Sequence, residues 1–463
     1  MDEQAFVRAF KAYDVRGRIP DELNEDIVRR IGNAFVQFLK KHSPVDGPVL
    51  VGYDIRLTSE AFSEAFSRGV TDAGMDVINI GLVGTDMIYF GTAHYGCAGG
   101  VMITASHNPP DYNGLKFVRE QAIAISSETG LNDIKELVLE EKYLEVEKKG
   151  TIRRQDSLAD YIDHVLQFID PEKIKPLKVV FNAGNGCAGT VLPELLKKLP
   201  QIEPVPVFWE PDGNFPNGIP NPLLPERRVD TANKIQETRA NLGVAWDGDF
   251  DRCFFYDENG EFIEGYYLVG LFGEFFSKRY PGSKIIHDPR LVWATQEMVK
   301  AAGGITVETK SGHAFIKDRM RKEDAIYAGE MSAHHYFRDN YYADNGMIPM
   351  LLLLQILGES GKPLSALVKN LMLRYPVSGE INREVKNQKA VLDRLREEYG
   401  SRALKVTTFD GISVDFENWR FSLRISNTEP VIRLNVESRR DIILMEQKRD
   451  ELLDRIAQID SES

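Results

Sequence analysis

The sequence predicts an α/β protein of several domains, with three related α/β units followed by a smaller α+β domain. The chain has 463 residues, which is too many for one compact core. Amphipathic helix patterns alternate with short apolar strands, as expected for parallel strands joined by crossover helices. A predicted apolar strand that runs into a polar cluster also occurs at three places in the chain. These three observations together indicate the fold class.

The first unit opens with this alternation of helix and strand. Residues 21–41 carry apolar side chains at helical spacing and basic side chains in the last turn, which predicts a helix. The stretch GPVLVGYD at 47–54 predicts a buried strand. A second helix over 58–74 and a strand over 75–81 follow, which completes a strand–helix–strand pattern.

Three stretches share the pattern of a strand with a polar exit: GPVLVGYDIR at 47–56, LKVVFNAGNG at 177–186 and SKIIHDPR at 283–290. In open α/β sheets, ligands gather at the carboxyl ends of the strands. Any protein built from strand–helix–strand units offers such strands, so an internal repeat is a hypothesis at this point.

Domain boundaries are predicted from charged and turn-forming stretches. A charged stretch at 140–156 ends the first unit, a turn at 256–265 the second, and LRYPVSGE at 373–380 the third. Strand patterns over 404–438 and a final helix over 441–458 make up the α+β domain. We expect domains at 1–148, 149–258, 259–374 and 375–463.

The composition bounds the classes of function. A formal net charge of −13 argues against nucleic acid or an anionic membrane as the general partner. The 3 scattered cysteines indicate free thiols in a reducing compartment, and the first residues show no signal-peptide pattern. The apolar run at 347–358 is too short to cross a bilayer and predicts a buried helix. We therefore expect a soluble, cytoplasmic protein.

The stretch WDGDFDRCFF at 246–255 carries Asp247, Asp249 and Asp251. Three crowded carboxylates repel one another unless a cation lies among them, and an all-oxygen ligand set favours Mg²⁺. An EF-hand is excluded because Arg252 stands where that loop needs glycine. A solvated acidic loop is the remaining alternative, and the apolar strands predicted on both sides argue against it.

The stretch TASHNPPDYNGLKF at 104–117 places Ser106 in a stiff bend. Mg²⁺ usually completes its shell with phosphate or water oxygens, and a phosphoserine supplies about two negative charges and three acceptor oxygens. Ser106 is therefore a candidate for a phosphorylated serine beside the metal. A plain turn is the alternative, since Ser, Asn and Pro are common turn residues.

Two further stretches offer groups that a sugar phosphate needs. RISNTEPVIR at 424–433 offers side chains that can donate hydrogen bonds to a phosphate. The alternative is that these polar side chains lie on the outer face of a strand. In GEMSAHHYFRD at 329–339, Glu330 and Ser332 would share one face if the segment is extended, and could then reach adjacent sugar hydroxyls. Of the two neighbouring histidines in this stretch, His334 and His335, at most one would face the ligand. Other candidates are Tyr13 and Arg16 in KAYDVRG, and His313 in KSGHAFIK.

In combination, these motifs resemble the phosphomannomutase/phosphoglucomutase family of the α-D-phosphohexomutase superfamily. The resemblance runs in order through KAYDVRG, TASHNPPDYNGLK, DGNFPNGIPNPLLPE, DGDFDR, KSGHAFIK, GEMSAHHYF and RISNTEP. It implies four domains around a central cleft: three similar mixed α/β domains and a smaller α+β C-terminal domain.

The resemblance also implies the site. Mg²⁺ would be bound by Ser106, through its phosphate, and by Asp247, Asp249 and Asp251. Ala333 and Arg290 depart from the commoner pattern, where glycine and lysine are frequent. The implied catalytic residues are Ser106, His107, Lys116, Arg16, Arg252, His313 and His334. The implied substrate-binding residues are Tyr13, Arg290, Glu330, Ser332, Arg424, Ser426, Asn427, Thr428 and Arg433.

The implied reaction is the reversible interconversion of mannose 6-phosphate and mannose 1-phosphate through a phosphoserine enzyme and a hexose 1,6-bisphosphate. Lys116, His313 and His334 are candidates for the base. A phosphoglucomutase or dual-specificity enzyme would share every motif, and a phosphatase or a sugar-phosphate sensor are further alternatives. We expect small-molecule hexose phosphates as partners, no nucleic acid or membrane, and a monomer or weak homodimer.

Overall fold

The computed structural model describes residues 3–425 and 431–462. The chain divides into two compact units. The first consists of Met1–Phe262 and His334–Pro363, and the second of Ile263–Ala333 and Leu364–Ser463. The strands form mixed parallel and antiparallel sheets in the first three quarters of the chain and an antiparallel sheet in the last.

The first sheet lies in the N-terminal part of the first unit and has the strand order β1-β5-β4-β2-β3-β6. Its central strand β2 pairs in parallel with β3 and β4, while β5 is antiparallel to β4 and β1. The elements are α1 (Glu3–Ala9), β1 (Val15–Arg18), α2 (Glu25–His42), β2 (Val49–Tyr53), α3 (Ser59–Asp72), β3 (Val77–Leu82), α4 (Thr85–His94), β4 (Gly99–Ile103), β5 (Tyr112–Arg119), α5 (Asn132–Leu139) and β6 (Ile152–Arg154).

The helix predicted over 21–41 is α2, and its ends follow from the local sequence. The side chain of Asn24 accepts a hydrogen bond from the N–H of Ile27 and so caps the first turn. Acidic residues lie in the first turn and basic residues in the last, which suits the helix dipole. The apolar face of α2 packs into a buried core with β2 and α3, including Phe35 and Phe66.

The second sheet has the order β11-β10-β9-β7-β8. Its central strand β7 pairs in parallel with β8 and β9, and β9 is antiparallel to β10. The elements are α6 (Leu158–Leu166), β7 (Leu177–Asn182), α7 (Ala188–Lys197), β8 (Ile202–Val207), α8 (Val229–Thr238), β9 (Leu242–Trp246), β10 (Cys253–Tyr256) and β11 (Phe262–Ile263).

The next segment contributes to both units. In the second unit, β12 pairs in parallel with β13 and β14. In the first unit, β15 and β16 form an antiparallel pair. The elements are α9 (Gly265–Arg279), β12 (Lys284–His287), α10 (Trp293–Ala301), β13 (Ile305–Glu308), α11 (His313–Glu323), β14 (Tyr327–Gly329), β15 (His335–Phe337), β16 (Ala343–Asp344), α12 (Met347–Ser360) and α13 (Leu364–Arg374).

The last sheet lies in the second unit and is antiparallel, with the order β17-β21-β20-β19-β18. Its core is separate and includes Val391 and Leu395 from the helix α14. The elements are β17 (Ile381–Glu384), α14 (Gln388–Gly400), β18 (Lys405–Thr407), β19 (Ile412–Asp415), β20 (Trp419–Ile425), β21 (Val431–Ser438) and α15 (Ile442–Glu462).

The three strands with polar exits, β2, β7 and β12, hold the same place in their sheets. Each is the central strand of a parallel trio, with the next strand in sequence on one side and the one after it on the other. The three α/β units predicted from the sequence therefore share this topology. The third strand of each trio is β4, β9 or β14. The connections that follow these strands contain Ser106, the three aspartates and Glu330, respectively.

The apolar run at 347–358 falls in α12, which is buried along most of its length. The side chain of Asn345 accepts hydrogen bonds from the N–H groups of Met347 and Ile348 and caps this helix. Over the described ranges, no single helix has the length and apolar composition to cross a membrane, although α12 and α13 pass that test together across a sharp bend.

Asp72 joins two helices and a following segment through charge-assisted hydrogen bonds. Its carboxylate accepts from Arg29 at 2.5 Å, Tyr143 at 2.7 Å and Lys149 at 2.7 Å. Burial opposes ionisation, but these donors outweigh it and lower the pKa of Asp72 from 3.8 to about 2. Its stabilisation is therefore complete above the unfolded pKa and is lost as the pH falls through about 2.

We expect Asp72→Asn to lower the free energy of unfolding by about 1 kcal/mol at pH 7, because the cationic partners are half exposed. The deficit should shrink as the pH falls from 4 towards 2, measured by urea unfolding. Glu64→Gln, which removes an exposed pair with Arg68, is the control and should change stability by less than about 0.5 kcal/mol. A difference in the free energy of unfolding that does not change with pH would contradict the stabilising role of the ionised Asp72.

Candidate active site

Three aspartates lie in the connection between two antiparallel strands. β9 ends at Trp246, and β10 begins at Cys253, which lies opposite it. The connection (residues 247–252, the aspartate loop) holds Asp247, Asp249 and Asp251, which are 1%, 0% and 2% exposed. One carboxylate oxygen from each lies within 4.8 Å of the others. The hairpin thus gathers three buried acids at one point.

Lys116 on β5 lies against two of these acids. Its Nζ donates to Oδ2 of Asp249 at 2.7 Å and to Oδ2 of Asp251 at 2.6 Å. The hydroxyl of Thr85 also donates to Asp249, and the N–H of Thr85 donates to the Asp249 carbonyl at 3.0 Å. Three segments of the first unit therefore meet at Asp249.

The other oxygen of Asp249 and of Asp251 is buried and has no hydrogen-bond partner among the described residues. A buried carboxylate oxygen without a partner is costly. Carboxylate oxygens from three acids are also the donor set that a hard divalent cation prefers. The residues present therefore fit such an ion.

The electrostatics of the cluster lead to the same conclusion. Burial and the two neighbouring carboxylates raise the pKa of Asp247 to about 7. Burial opposes ionisation of Asp249, but Lys116 outweighs it and lowers the pKa. Burial alone would lower the pKa of Lys116, and Asp249 and Asp251 raise it instead. Two cations, Lys116 and Arg252, lie beside the three acids, with Nε of Arg252 3.6 Å from Oδ2 of Asp247, so the carboxylates outnumber the cations.

Ser106 lies in the connection between β4 and β5 (residues 104–111, the serine loop). Its hydroxyl donates to Oδ2 of Asp247 at 2.9 Å, and its N–H donates to the Thr104 hydroxyl at 2.8 Å. The residue is 2% exposed and has a φ of 49°, in the left-handed region. That conformation costs a non-glycine residue about 1 kcal/mol or more. The surrounding contacts must therefore hold Ser106 in place.

Of two further predicted residues, His107 contacts Ser106 and Arg16 contacts the serine loop at Asn108. Nδ1 of His107 lies 3.0 Å from Oγ of Ser106. Burial, together with nearby guanidinium groups, lowers the pKa of His107 well below its ordinary value, so the ring is neutral. Arg16 on β1 donates to Oδ1 of Asn108 at 2.6 Å and to Oδ2 of Asp14 at 2.5 Å.

Arg252, the last residue of the aspartate loop, contacts His334. Nε of Arg252 donates to Nε2 of His334 at 3.0 Å. Nδ1 of His334 lies 3.2 Å from Oδ2 of Asp344 and 3.8 Å from Oδ1 of Asp251. Burial opposes protonation of His334, but Asp251 and Asp344 raise its pKa. The first unit thus brings together Arg16, Ser106, His107, Lys116, Asp247, Asp249, Asp251, Arg252 and His334.

A second group of predicted residues lies in the second unit around Arg290, just after β12. Arg290 pairs with Asp288 through Nε at 3.0 Å and Nη2 at 2.9 Å. Its Nη1 donates to Oε2 of Glu380 at 3.1 Å. Burial opposes the charge on Arg290, but these carboxylates raise its pKa. Arg290 is therefore a buried cation with fixed orientation.

Glu330 and Ser332 would share one face only if their segment were extended, and in the structure it is not. Residues 330–333 form a turn, in which the N–H of Ala333 donates to the Glu330 carbonyl at 3.0 Å. Ala333 has a φ of 70°, a region that glycine occupies more easily. Both predicted side chains still lie near Arg290, with Glu330 at 3.5 Å and the Ser332 hydroxyl at 3.4 Å.

Arg424 and Arg433 lie opposite each other on β20 and β21. Nε of Arg424 is 3.6 Å from Oδ2 of Asp410, and Nη1 of Arg433 is 3.5 Å from Oε1 of Glu380. Each guanidinium thus faces a carboxylate. Three predicted residues of the same stretch, Ser426, Asn427 and Thr428, lie outside the described residues.

Two predicted residues remain. His313 is the first residue of α11 and follows Gly312, whose N–H donates to Oε1 of Glu330 at 3.1 Å. Tyr13 lies between α1 and β1 and is half-buried. His313 thus begins its helix beside the Glu330 turn.

Family models match four consecutive segments of the chain. They are described as phosphoglucomutase/phosphomannomutase, alpha/beta/alpha domain I at residues 7–145, domain II at 159–260, domain III at 264–375 and the C-terminal domain at 380–454. The chain belongs to the phosphoglucomutase/phosphomannomutase family. It is accordingly a four-domain α/β enzyme, as the motifs implied.

Members of this family with nearly the same length are about half identical to the chain. A phosphomannomutase of Vibrio cholerae serotype O1 is 52% identical over 456 residues, which cover 97% of this chain and 98% of that protein. A protein of Xanthomonas campestris pv. campestris named phosphohexose mutases is 54% identical over 444 residues, 96% of this chain and 98% of its own.

Solved structures share the fold of the chain. A phosphoglucomutase/phosphomannomutase family protein of Burkholderia thailandensis has a TM-score of 0.86 and 31% identity, covering 98% of this chain and 97% of that one. The phosphoglucomutase parafusin of Paramecium, in an open form, has a TM-score of 0.78 and covers 98% of this chain and 96% of its own. At 17% identity, the second likeness concerns the fold alone.

Several residues that contact the predicted site were missed from the sequence. Asp288 stood in the quoted strand exit SKIIHDPR, and its spacing of two from Arg290 was the available signal. Thr85 and Glu380 carried no motif, because each meets its partner from a distant part of the chain. Asp344 meets His334 across the antiparallel pair of β15 and β16 and carried no motif either.

Proposed function

We propose that the enzyme interconverts mannose 6-phosphate and mannose 1-phosphate through a phosphoserine at Ser106 and a hexose 1,6-bisphosphate. The observation that carries this proposal is the hydrogen bond of 2.9 Å between Ser106 and Asp247, inside a buried cluster of three acids. Full-length relatives that are about half identical and are named phosphomannomutase support the choice of substrate.

Mg²⁺ is the cation that we propose for the cluster. Asp247, Asp249, Asp251 and the phosphate on Ser106 would hold it, since two of these acids have buried oxygens without partners. Bound there, Mg²⁺ would offset the negative charge of the phosphoryl oxygens. The hexose 1,6-bisphosphate would serve as intermediate and as the source of the first phosphoserine.

The chain's own residues would then transfer the phosphoryl group. The bond between phosphorus and Oγ of Ser106 breaks, and a bond to a free hydroxyl oxygen of the sugar phosphate forms. Lys116, with Arg16 and Arg252, stabilises charge that spreads over the phosphoryl oxygens. The hydroxyl proton goes to a base, for which Lys116, His313 and His334 are candidates, and Oγ of Ser106 takes up a proton as it leaves.

The remaining predicted residues would bind the rest of the substrate. Glu330 and Ser332, oriented by Arg290, would contact the sugar hydroxyls. Tyr13 is also proposed to bind substrate. The non-transferred phosphate would be held by Arg424, Ser426, Asn427, Thr428 and Arg433. After the first transfer the bisphosphate turns over, and its other phosphate returns to Ser106. We place domain boundaries near residues 148, 258 and 374, and propose a cytoplasmic monomer or weak homodimer.

A dual-specificity phosphohexomutase is the second candidate. It is favoured by the relatives of 54% identity that are named phosphohexose mutases. A dual-specificity enzyme would use the same chemistry at Ser106. Relative turnover on mannose 1-phosphate and glucose 1-phosphate separates the two candidates.

The test is an assay of the purified protein with mannose 1-phosphate or glucose 1-phosphate, Mg²⁺ and a catalytic amount of hexose 1,6-bisphosphate. We expect turnover in the usual enzymatic range of about 1–1,000 s⁻¹ on mannose 1-phosphate, with a lower kcat/KM on glucose 1-phosphate. Equal kcat/KM values would support the dual-specificity enzyme. Release of free phosphate without isomerisation would instead identify a phosphatase.

A further inference from the structure

Arg56 makes an unusual set of contacts with the serine loop. Its Nη2 donates to the carbonyl oxygens of Ser106 at 2.8 Å and Asn108 at 2.6 Å. Its Nη1 donates to those of Pro109 at 2.8 Å and Tyr112 at 2.9 Å. Four of the five guanidinium N–H groups thereby donate to backbone carbonyls, three in the serine loop and one at Tyr112, the first residue of β5.

The guanidinium is itself held in place. Nε of Arg56 lies 3.4 Å from Oδ2 of Asp54, and both side chains are almost fully buried. The other carboxylate oxygen of Asp54 accepts from the N–H of Arg56 and from the hydroxyl of Ser59. The exit of the central strand β2 therefore presents a rigid fork to the serine loop.

A second contact comes from the DGNF segment (residues 212–226), a motif to which the proposed function gives no role. The ring of Phe215 packs against the guanidinium of Arg56, with 5.4 Å from Cζ to the ring centroid. Gly213 lets this segment approach, because a Cβ there would lie 2.2 Å from the carbonyl oxygen of Ile55. Phe215 is 5% exposed, so its ring shields Arg56 from water.

The carbonyl of Ser106 is also the point at which the serine loop meets the aspartate loop. A Cβ on Gly248 would lie 2.7 Å from that oxygen, so the two backbones touch there. The hydrogen bond from Arg56 thus fixes the serine at the same place where the neighbouring loop carries Asp247 and Asp249. Ser106 has a left-handed φ, which it keeps only if its surroundings impose it.

We propose that Arg56, backed by Phe215, is a positioning residue for phosphoryl transfer: it holds Ser106 in its left-handed conformation so that the hydroxyl faces the aspartate loop. A lysine could not replace it, because an ammonium group presents three donors from one point and not a planar fork. This inference rests on the proposed role of Ser106 as the phosphorylated group.

The test measures phosphorylation of Ser106 directly. Wild type and Arg56→Lys, in the presence of Mg²⁺, are mixed with hexose 1,6-bisphosphate and quenched at intervals, and phosphoserine is quantified by intact-protein mass spectrometry. We expect Arg56→Lys to form phosphoserine about 100-fold more slowly, since small displacements of reacting groups have effects of that size. Its kcat should fall by a similar factor, while KM for mannose 1-phosphate stays within about threefold.

Arg29→Lys is the matched control, because Arg29 lies in the same domain and pairs with Asp72 near the surface. It should leave both rates unchanged. If Arg56→Lys does not fold, as judged by circular dichroism, Phe215→Leu decides, with an expected slowing of about tenfold and an unchanged KM. Wild-type rates in whichever variant is folded would overturn the positioning role.

The outcome for the wild type separates this inference from the proposed function. If wild type forms no phosphoserine at residue 106, the proposed function fails and the role of Arg56 falls with it. If wild type is phosphorylated and Arg56→Lys matches its rate, only the role of Arg56 is overturned. A rise in KM equal to the fall in kcat/KM, with kcat unchanged, would likewise overturn it, because that pattern indicates lost substrate binding.

Discussion

Ser106→Ala is expected to lower mutase turnover by at least about 10⁴-fold, because removal of a covalently acting group usually has effects of this order. The alanine has no oxygen to carry the phosphoryl group, and neither neighbour of the serine, His107 or Asp247, is proposed to carry it. The variant should bind hexose phosphates with nearly wild-type affinity, measured by calorimetry, since the proposed sugar and phosphate contacts lie on other segments. Ser106→Ala would thus lose mutase turnover while it keeps its affinity for hexose phosphates.

The control for this variant is Ser67→Ala. Ser67 is a buried serine on α3 in the same domain, and its hydroxyl donates only to the Ser63 carbonyl, at 2.7 Å, among the contacts described. Its loss should cost about 1 kcal/mol of stability and leave turnover unchanged. Residual turnover above about 1% in Ser106→Ala, with no wild-type contamination by mass spectrometry, would contradict a phosphoserine route.

The elements that local patterns specify were predictable from the sequence. The helix α2 has its cap at Asn24, acidic first turn and basic last turn all within the segment, so residues 21–41 were enough to predict it. The strands β2, β7 and β12 were visible for the same reason, as apolar runs with polar exits. Their shared central place in a parallel trio was only a hypothesis, because strand order depends on contacts between distant segments.

The site was predictable where its residues cluster in sequence. Asp247, Asp249 and Asp251 fall within five residues and were found together, and the motif around Ser106 was equally compact. The distance between Ser106 and Asp247 was not available from either motif, since 141 residues separate them. The family fold supplies it by placing each loop after the third strand of its parallel trio, β4 in one sheet and β9 in the other.

The residues that sequence reasoning missed share one physical property. Arg56, Asp288 and Glu380 act on backbone groups or on other charged side chains, so their own neighbours in sequence give little indication of a role. The polar exits of β2 and β12 contain Arg56 and Asp288, and from the sequence alone these exits predict ligand sites. In the structure the β2 exit supports the serine loop, which carries the proposed reacting group, and the β12 exit supports the turn at 330–333, which carries the proposed sugar contacts.

The aspartate loop leads to the second large effect, for Asp249→Asn. This carboxylate accepts from Lys116 and Thr85 with one oxygen, and its other oxygen is buried without a partner. Asparagine keeps the shape, removes the charge and leaves the loop one anionic ligand short. We expect turnover to fall about 10³-fold, a loss of about 4 kcal/mol of transition-state stabilisation. Chelation of the metal from wild type with EDTA should cause a loss of comparable size.

The decisive measurement is metal binding itself, by titration with Mn²⁺ followed by electron paramagnetic resonance. The affinity should fall at least about 100-fold in Asp249→Asn, because the remaining donors, Asp247 and Asp251, carry less charge. Asp257→Asn is the control: Asp257 is also a buried acid beside β10, but its carboxylate accepts from the N–H groups of Asn259 and Glu261. That variant should bind Mn²⁺ as wild type does. Equal loss in both variants would mean that the aspartate loop responds to general destabilisation and is not the metal site.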